Sequence, residues 1–158
     1  MINPGARVWI YQSDKEFEQS QLIDLDVLLK NFTANWSAHN QQLSASFEIK
    51  YNRFIVLIVD ETQAGASGCS IDKSVHLMKD VEQKFNVNLF DRFNIAYKDG
   101  DKIVTVNRNS FEDLIANGKV NSFTIVFNNI VPTYEEYLNN WETPLANSWH
   151  AKLFKVEA

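Results

Sequence analysis

Cysteine is almost absent from this sequence, because Cys69 is the only one in 158 residues. A single cysteine excludes an internal disulfide framework and a cysteine-rich zinc site, and it favours a reducing compartment. Histidine is scarce as well. His39, His76 and His150 have no spacing typical of metal ligands, so the sequence predicts neither a metal site nor a cofactor.

Long hydrophobic runs are also missing. The longest covers only residues 54–59, whereas a membrane-spanning helix needs about 20 apolar residues. Residues 1–7 lack the apolar stretch of a signal peptide. We therefore expect a cytoplasmic protein that does not enter a membrane.

Basic residues are outnumbered, with 15 Lys and Arg against 20 Asp and Glu, which gives a net charge of -5. A protein of this charge lacks the overall attraction to phosphate on which nucleic-acid binding depends, so we expect no nucleic-acid partner. Hydrophobic residues make up 45% of the chain and charged residues 22%, as in ordinary globular proteins. Together with the length, this predicts a single domain over residues 1–158.

Hydrophobic periodicity predicts both helices and strands, and therefore an α+β protein. The segment 43–51 alternates apolar and polar residues like a strand with one wet face, and every residue of 54–59 is apolar, as in a strand buried on both faces. The predicted strands are residues 7–11, 43–51, 54–59, 93–98, 102–106 and 123–127. The predicted helices are residues 18–38, 70–85, 110–118 and 133–141.

The first six predicted elements follow the order β-α-β-β-α-β, which is that of the ferredoxin-like split βαβ fold. A hairpin strand after Asp99-Gly100, a short helix, a strand and a C-terminal helix follow this core. One face of a ferredoxin-like sheet is normally free of helices, so the apolar strand 54–59 needs a second cover. The C-terminal segment or the partner in a homodimer is expected to supply it.

The loop before the second long helix is the best candidate site. Its backbone N–H groups and the helix dipole can bind an anion, although the same residues are also typical of a plain helix start. The thiol of Cys69 has two interpretations: a reactive thiolate favoured by the helix dipole, or a small buried hydrophobic residue. The candidate residues in this loop are Gly65, Ser67, Gly68, Cys69 and Ser70.

Three further residues are candidates for ligand binding. Residues 51–60 and 90–99 match weakly, either as an internal repeat or because strand starts reuse similar residues, and a true repeat would make Arg53 and Arg92 equivalent. His150 follows Trp149 in a pair that can stack on a flat ligand or simply pack. Cys69 and His76 are about 10 Å apart along a helix. A catalytic pair with Cys69 would therefore need His39 or His150.

Four segments of the chain, residues 8–12, 47–54, 67–76 and 147–151, resemble a small family of proteins from Bacteroidetes bacteria. The resemblance spans nearly the whole chain. Members of this family often carry the label "ABC transporter ATPase", and the resemblance brings no catalytic residues to this chain.

The residues themselves do not predict ATP hydrolysis. Asp60-Glu61 after a hydrophobic strand resembles the end of a Walker B motif, but the chain has no Gly-x-x-x-x-Gly-Lys-Ser/Thr sequence to hold phosphates. The leading hypothesis is a non-enzymatic protein that binds a small ligand or a protein partner, as a homodimer. The alternative is an enzyme or redox-responsive protein that uses Cys69.

Overall fold

A computed structural model describes residues 2–156 of the chain. Within them the protein has an α+β fold with five α-helices and three antiparallel sheets. The chain packs as two compact units: the first holds the described residues up to Phe90 together with Pro132–Glu135, and the second holds Asp91–Val131 and the described residues from Glu136 onward. The single domain over residues 1–158 stays a prediction.

All ten predicted helices and strands are present, with ends that shift by a few residues. The helices are α1 (Gln19–Asn35), α2 (Gly68–Phe85), α3 (Arg108–Ala116), α4 (Tyr134–Asn140) and α5 (His150–Phe154), and a 3-10 helix covers Leu145–Asn147. The strands are β1 (Arg7–Gln12), β2 (Ser37–Ala38), β3 (Gln41–Gln42), β4 (Ser44–Lys50), β5 (Phe54–Asp60), β6 (Ile95–Asp99), β7 (Lys102–Val106), β8 (Ile125–Phe127) and β9 (Glu142–Pro144). No helix within residues 2–156 is long and apolar enough to cross a membrane.

The sheet of the first unit has the order β1-β5-β4, with β5 antiparallel to both neighbours. Phe54 to Val59 are at most 1% exposed, which confirms the prediction of a strand buried on both faces. Leu57 lies opposite Trp9 of β1 and Phe47 of β4. The side chains on this face meet the helices.

Helices α1 and α2 cover that face. The buried core joins Leu25 and Leu29 of α1, Met78 and Val81 of α2, and Leu57 of β5, all at 0% exposure. Burial of one such side chain stabilises a fold by about 1.5–3 kcal/mol. The core therefore holds both long helices on the sheet.

Residues Pro132–Glu135 run along the outer edge of β1. The backbone N–H of Val8 donates to the carbonyl of Pro132 (3.1 Å), and that of Tyr134 donates to the carbonyl of Ala6 (2.8 Å). The Tyr134 hydroxyl donates to the carboxylate of Glu48, which lies opposite Val56 in the sheet register. Tyr134 thus links the edge of β1 to Glu48 of β4.

The ferredoxin-like arrangement is not confirmed. Its fourth strand would have to pair with β1, but β6 pairs with β7 and β8 in a separate sheet of order β7-β6-β8-β9. The edge of β1 that would receive this strand instead forms a bridge from Arg7 to Thr133. Strand β7 follows β6 after a tight turn, so pairing of these two strands costs little loop-closure entropy.

The first long helix was predicted to extend too far. It ends at Asn35 rather than at residue 38, because Trp36 is extended (φ -72°, ψ 125°). The chain then forms a small hairpin of β2 and β3 whose turn residues, His39 and Asn40, have φ of 50° and 63°. Trp36 still packs in the core, which is why the apolar periodicity continued past the helix.

The core of the second unit contains Ile95, Tyr97, Phe111, Val126 and Leu145. The predicted hairpin turn is confirmed, with Gly100 at φ 62° between β6 and β7. Helix α3 starts earlier than predicted, because Asn107 rather than Ser110 is its N-cap and accepts the Ser110 N–H at 2.8 Å. Strand β9 and helix α5 were not predicted.

The loop before helix α2 as a candidate functional site

A carboxylate of the chain itself occupies the loop between β5 and α2. Glu61 Oε2 accepts the backbone N–H of Ala66 at 2.8 Å, and Glu61 Oε1 lies 3.7 Å from Arg7 Nε. The Arg7 guanidinium carbon lies 4.7 Å from the centroid of the Trp9 ring. The loop therefore holds an anion already, between an N–H group and a cation.

The two glycines of the loop differ in what they permit. A Cβ on Gly65 would lie 3.0 Å from Glu61 Oε2, so the absence of a side chain leaves room for the carboxylate. A Cβ on Gly68 would have no atom within 4 Å. Of these two glycines, only Gly65 is at a position where the loop leaves little room for a side chain.

Ser67 and Ser70 form the start of helix α2 through reciprocal hydrogen bonds. Ser67 is the N-cap, and its Oγ accepts the Ser70 N–H at 3.2 Å. The Ser70 Oγ accepts the Ser67 N–H at 2.7 Å and donates to the Ser67 carbonyl at 2.8 Å. Such a capping box satisfies N–H groups that an external anion would otherwise bind.

The first turn of helix α2 is also hydrogen-bonded to a core residue, Trp36. The Trp36 Nε1–H donates to the Ser70 carbonyl at 2.8 Å, and Trp36 packs edge-on to Trp9 with ring centroids 5.8 Å apart. Ser70 itself is 1% exposed. Of the five loop residues predicted as a site, Ser70 therefore has a structural role.

Cys69 is exposed on the first turn of α2. The interpretation as a small buried hydrophobic residue is therefore wrong. Of the two histidines in the first unit, His39 lies exposed in the β2–β3 hairpin and His76 lies exposed on α2. Within residues 2–156, no group of three or more His, Cys, Asp or Glu residues is arranged to hold a metal ion.

Asp60, the other carboxylate after β5, is tied to the loop as well. Its Oδ1 accepts the Thr62 N–H at 3.0 Å. Hydrogen bonds from the Thr62 backbone and side chain lower the pKa of Asp60. Both carboxylates of the Walker B-like pair thus accept backbone N–H groups of the loop.

Arg53 does not join the loop. It precedes β5 whereas the loop follows it, and the seven residues of this strand span about 23 Å at 3.3 Å per residue. Burial lowers the pKa of Arg53, and the charges of Glu16 and Asp14 raise it. The Arg53 guanidinium therefore interacts with Glu16 and Asp14 at the opposite end of the sheet from the loop.

His150 and Arg92 lie in the second unit. Arg92 is exposed. His150 is 3% exposed and stacks on Trp149 with ring centroids 3.8 Å apart. Burial lowers the pKa of His150 to about 4, and its Nδ1 has no hydrogen-bond partner within the described residues. The imidazole is thus neutral at pH 7 and packs rather than facing solvent.

Two clefts of about 430 Å³ each flank helix α5 in the second unit. One is lined in part by Ser148, Lys152 and Lys155. The other contains Arg108 and Phe154, and there the guanidinium lies 6.0 Å from the ring centroid and 3.6 Å from Glu112 Oε1. None of the eight predicted site residues lines either cleft.

No protein-family model matches this chain, and neither a curated protein nor a solved structure matches it significantly. The resemblance to the Bacteroidetes family therefore stays a prediction.

Sequence reasoning missed Arg7 and Glu61 as parts of the loop. In the sequence, Asp60-Glu61 resembles only a Walker B-like pair, because nothing in its spacing shows that Glu61 turns back onto Ala66. Arg7 lies 54 positions before Glu61 in the numbering. Only the pairing of β1 with β5 brings the two together.

Proposed function

We propose that this protein is a non-enzymatic binding protein whose partner covers the outer side of helix α1. The observation that carries the proposal is the exposure of Ile23 (64%) and Val27 (54%) on that helix. The two residues are four positions apart, so they lie on one side of the helix. Large apolar side chains placed together on a surface are typical of interaction sites.

The composition of α1 supports this proposal. Leu25 and Leu29 face the core at 0% exposure, and Leu22, Leu28 and Phe32 pack partly against it. With Ile23 and Val27 added, apolar residues surround much of the helix. A helix of this kind is normally covered on more than one side.

The loop before α2 supports the non-enzymatic part of the proposal. Glu61 fills the position of an external anion, and Ser67 and Ser70 bond to each other. Cys69 has no histidine beside it in α2, because His76 is seven residues further along. The chain has no phosphate-binding loop sequence of the kind that ATP hydrolysis requires. The acidic composition supports a partner other than nucleic acid and is compatible with a cytoplasmic location.

The proposal is tested by photo-crosslinking in living cells with a photoreactive amino acid at position 23. The matched control places the same amino acid at Leu138, which is also 64% exposed. We expect a discrete crosslinked product from position 23 and only background from position 138, with the product identified by mass spectrometry. Equal background from both positions would overturn the proposal.

A second candidate function is a redox response or catalysis through Cys69, and the exposure of its thiol favours it. The test is the pH dependence of Cys69 alkylation in the native protein against a denatured control. Labelling that is already fast at about pH 6 to 7 would indicate a thiolate and favour this candidate. Loss of biological function in Cys69→Ser, with crosslinking at position 23 unchanged, would establish it over the binding function.

A further inference from the structure

We propose that the cleft between helices α3 and α5 binds a small carboxylate with an apolar body, with the carboxylate at Arg108 and the apolar body against Ile115, Leu153 and Phe154. The cleft lies in the second unit, whereas α1 lies in the first. A ligand here is therefore a second one, distinct from the partner proposed for α1.

One side of α3 forms one wall of the cleft. Steps of three and four positions keep residues on the same side of a helix, and the residues of α3 that line the cleft follow such steps: Arg108, Glu112, Ile115 and Ala116. The charged pair comes at the start of the helix and the apolar pair at its end. The eight positions from first to last extend over about 12 Å. This wall thus changes from charged to apolar along its length, which matches a ligand with one charged end.

The opposite wall is formed by the end of α5, with Leu153, Phe154 and Lys155. Phe154 packs on Phe111 with ring centroids 4.9 Å apart, and Phe111 is fully buried. The aromatic part of this wall is therefore fixed to the core of the second unit. The cleft volume of about 430 Å³ falls within the range of about 300–1,000 Å³ typical of small-molecule sites, which are also mainly apolar with a few charged groups.

The charges of the cleft favour an anion. Two of the described lining residues are cations, Arg108 and Lys155, and one is an anion, Glu112. Glu112 Oε1 lies 3.6 Å from Arg108 Nε. A guanidinium has five N–H donors, so this contact leaves the two terminal amino groups of Arg108 for a ligand carboxylate. A cationic ligand would instead meet two like charges.

A weak interaction is expected. Arg108 and Lys155 are exposed, and ion pairs in contact with water contribute little. For a ligand of about ten non-hydrogen atoms, we expect a dissociation constant between about 0.1 and 1 mM.

NMR titration of the native chain with octanoate tests the site, and octylammonium, with the same number of carbon atoms and the opposite charge, is the matched probe. We expect octanoate to give saturable shifts at the amides of residues 108–116 and 153–155. Octylammonium should bind at least about fivefold more weakly. Equal binding of the two probes would overturn the preference for an anion, and shifts that spread over the chain without saturation would overturn the site.

Charge variants test which cation holds the carboxylate. Arg108→Gln should weaken octanoate binding about threefold to tenfold. Arg92→Gln is the control, because Arg92 is an exposed arginine of the same unit outside both cleft linings. Lys152 lines the neighbouring cleft. Weaker binding in Lys152→Gln, with Arg108→Gln unchanged, would assign the ligand to that cleft and overturn the proposal.

A bulky side chain at the apolar end tests the location. Ala116 is exposed and lines the cleft, so Ala116→Trp should fill the cleft without disturbing the core and abolish octanoate binding. Asp113 is an exposed residue of α3 outside the lining, and Asp113→Trp should bind octanoate like the native chain. Thermal melts establish that both variants are folded. Native binding in folded Ala116→Trp would overturn the location, and none of these outcomes changes the crosslinking expected at position 23.

Discussion

The two compact units build their cores in different ways. The first unit places helices of 17 and 18 residues on a sheet with strands of six and seven residues. In the second unit the strands have three to five residues, and α3 and α5 have nine and five. Long elements carry their own periodicity and caps, whereas short ones depend on the contacts around them.

The two units also differ in the burial of their histidines. In the first unit His39 and His76 are exposed, so neither packs in the core. His150 of the second unit is buried beside Trp149. The unit with the shorter elements therefore also contains a buried histidine whose protonation lowers stability. Four experiments test how far the two units differ.

The largest effects are expected from truncation of a buried side chain in each unit. Leu57→Ala in the first and Phe111→Ala in the second, both at 0% exposure, should lower the free energy of unfolding by about 3–5 kcal/mol. Urea denaturation measures the loss, and hydrogen exchange locates it. Ile23→Ala and Phe123→Ala, at exposed positions, are the controls and should change stability by about 0.5 kcal/mol or less. Equal losses at buried and exposed positions would contradict the assignment of the two cores.

The next effect concerns acid. The pKa of His150 is about 4 in the folded chain, against about 6.5 in an unfolded one. Above pH 6.5 both states hold the neutral imidazole, and stability does not depend on it. As the pH falls from 6.5 to 4, only the unfolded state gains the proton, so up to about 3 kcal/mol is lost.

Denaturation of His150→Phe and His76→Phe over this pH range tests the acid prediction. The pH slope of stability should decrease in His150→Phe and persist in the exposed-site control. At about pH 5, amides of the second unit should lose protection from hydrogen exchange before those of the first. A wild-type slope in His150→Phe would show that His150 is not responsible.

Two tryptophan hydrogen bonds allow a smaller comparison. Trp36 Nε1–H donates to the buried carbonyl of Ser70 in the first unit, and Trp141 Nε1–H donates to Oδ1 of the half-exposed Asn129 in the second. Trp36→Phe should cost about 1–3 kcal/mol more than ring truncation alone, because the Ser70 carbonyl loses its donor in the core. Trp141→Phe should cost less, since water can reach Asn129. Chemical denaturation of both variants ranks them, and the reverse order would contradict this explanation.

The smallest effects are expected at the hairpin turns. Tyr51 and Asn52 have φ of 54° and 56° in the turn between β4 and β5, where the Arg53 N–H donates to the Lys50 carbonyl. Tyr51→Asn should raise stability by up to about 1 kcal/mol, because asparagine tolerates the left-handed region better than tyrosine. The corresponding turn of the second unit already has Gly100, so Gly100→Ala should lower stability by about 1 kcal/mol. Thermal melts measure both, and a loss in Tyr51→Asn would show that ring contacts outweigh backbone strain.

The sequence predicted the first unit better than the second because β5 and the two long helices have strong apolar patterns. Even there, the apolar spacing of Leu29, Phe32 and Trp36 continues past the end of α1, because Trp36 is buried although its backbone is extended. In the second unit β9 has only three residues, Glu142–Pro144, and proline within it argues against a strand. It pairs along β8 all the same.

The sequence predicted where helix α2 begins, but not which group lies in the loop before it. The glycine-containing loop does start helix α2, with Ser67 as its cap. The occupant, Glu61, depends on the β1–β5 register and on a turn that no local motif describes. The sequence also did not predict that Ile23 and Val27 are exposed. The helix was predicted from a different apolar stripe, which consists of Leu22, Leu25, Leu28, Leu29 and Phe32.

The position of Glu61 also determines how this loop responds to dissolved anions. A carboxylate five residues from its N–H donor is held at an effective concentration of about millimolar or higher. A free phosphate or carboxylate has to exceed that concentration, or bind more tightly, to take its place. Dissolved anions at ordinary concentrations therefore do not displace Glu61 from the start of α2. In Glu61→Ala, the structure of this loop should become sensitive to salt and phosphate, unlike that of the native chain.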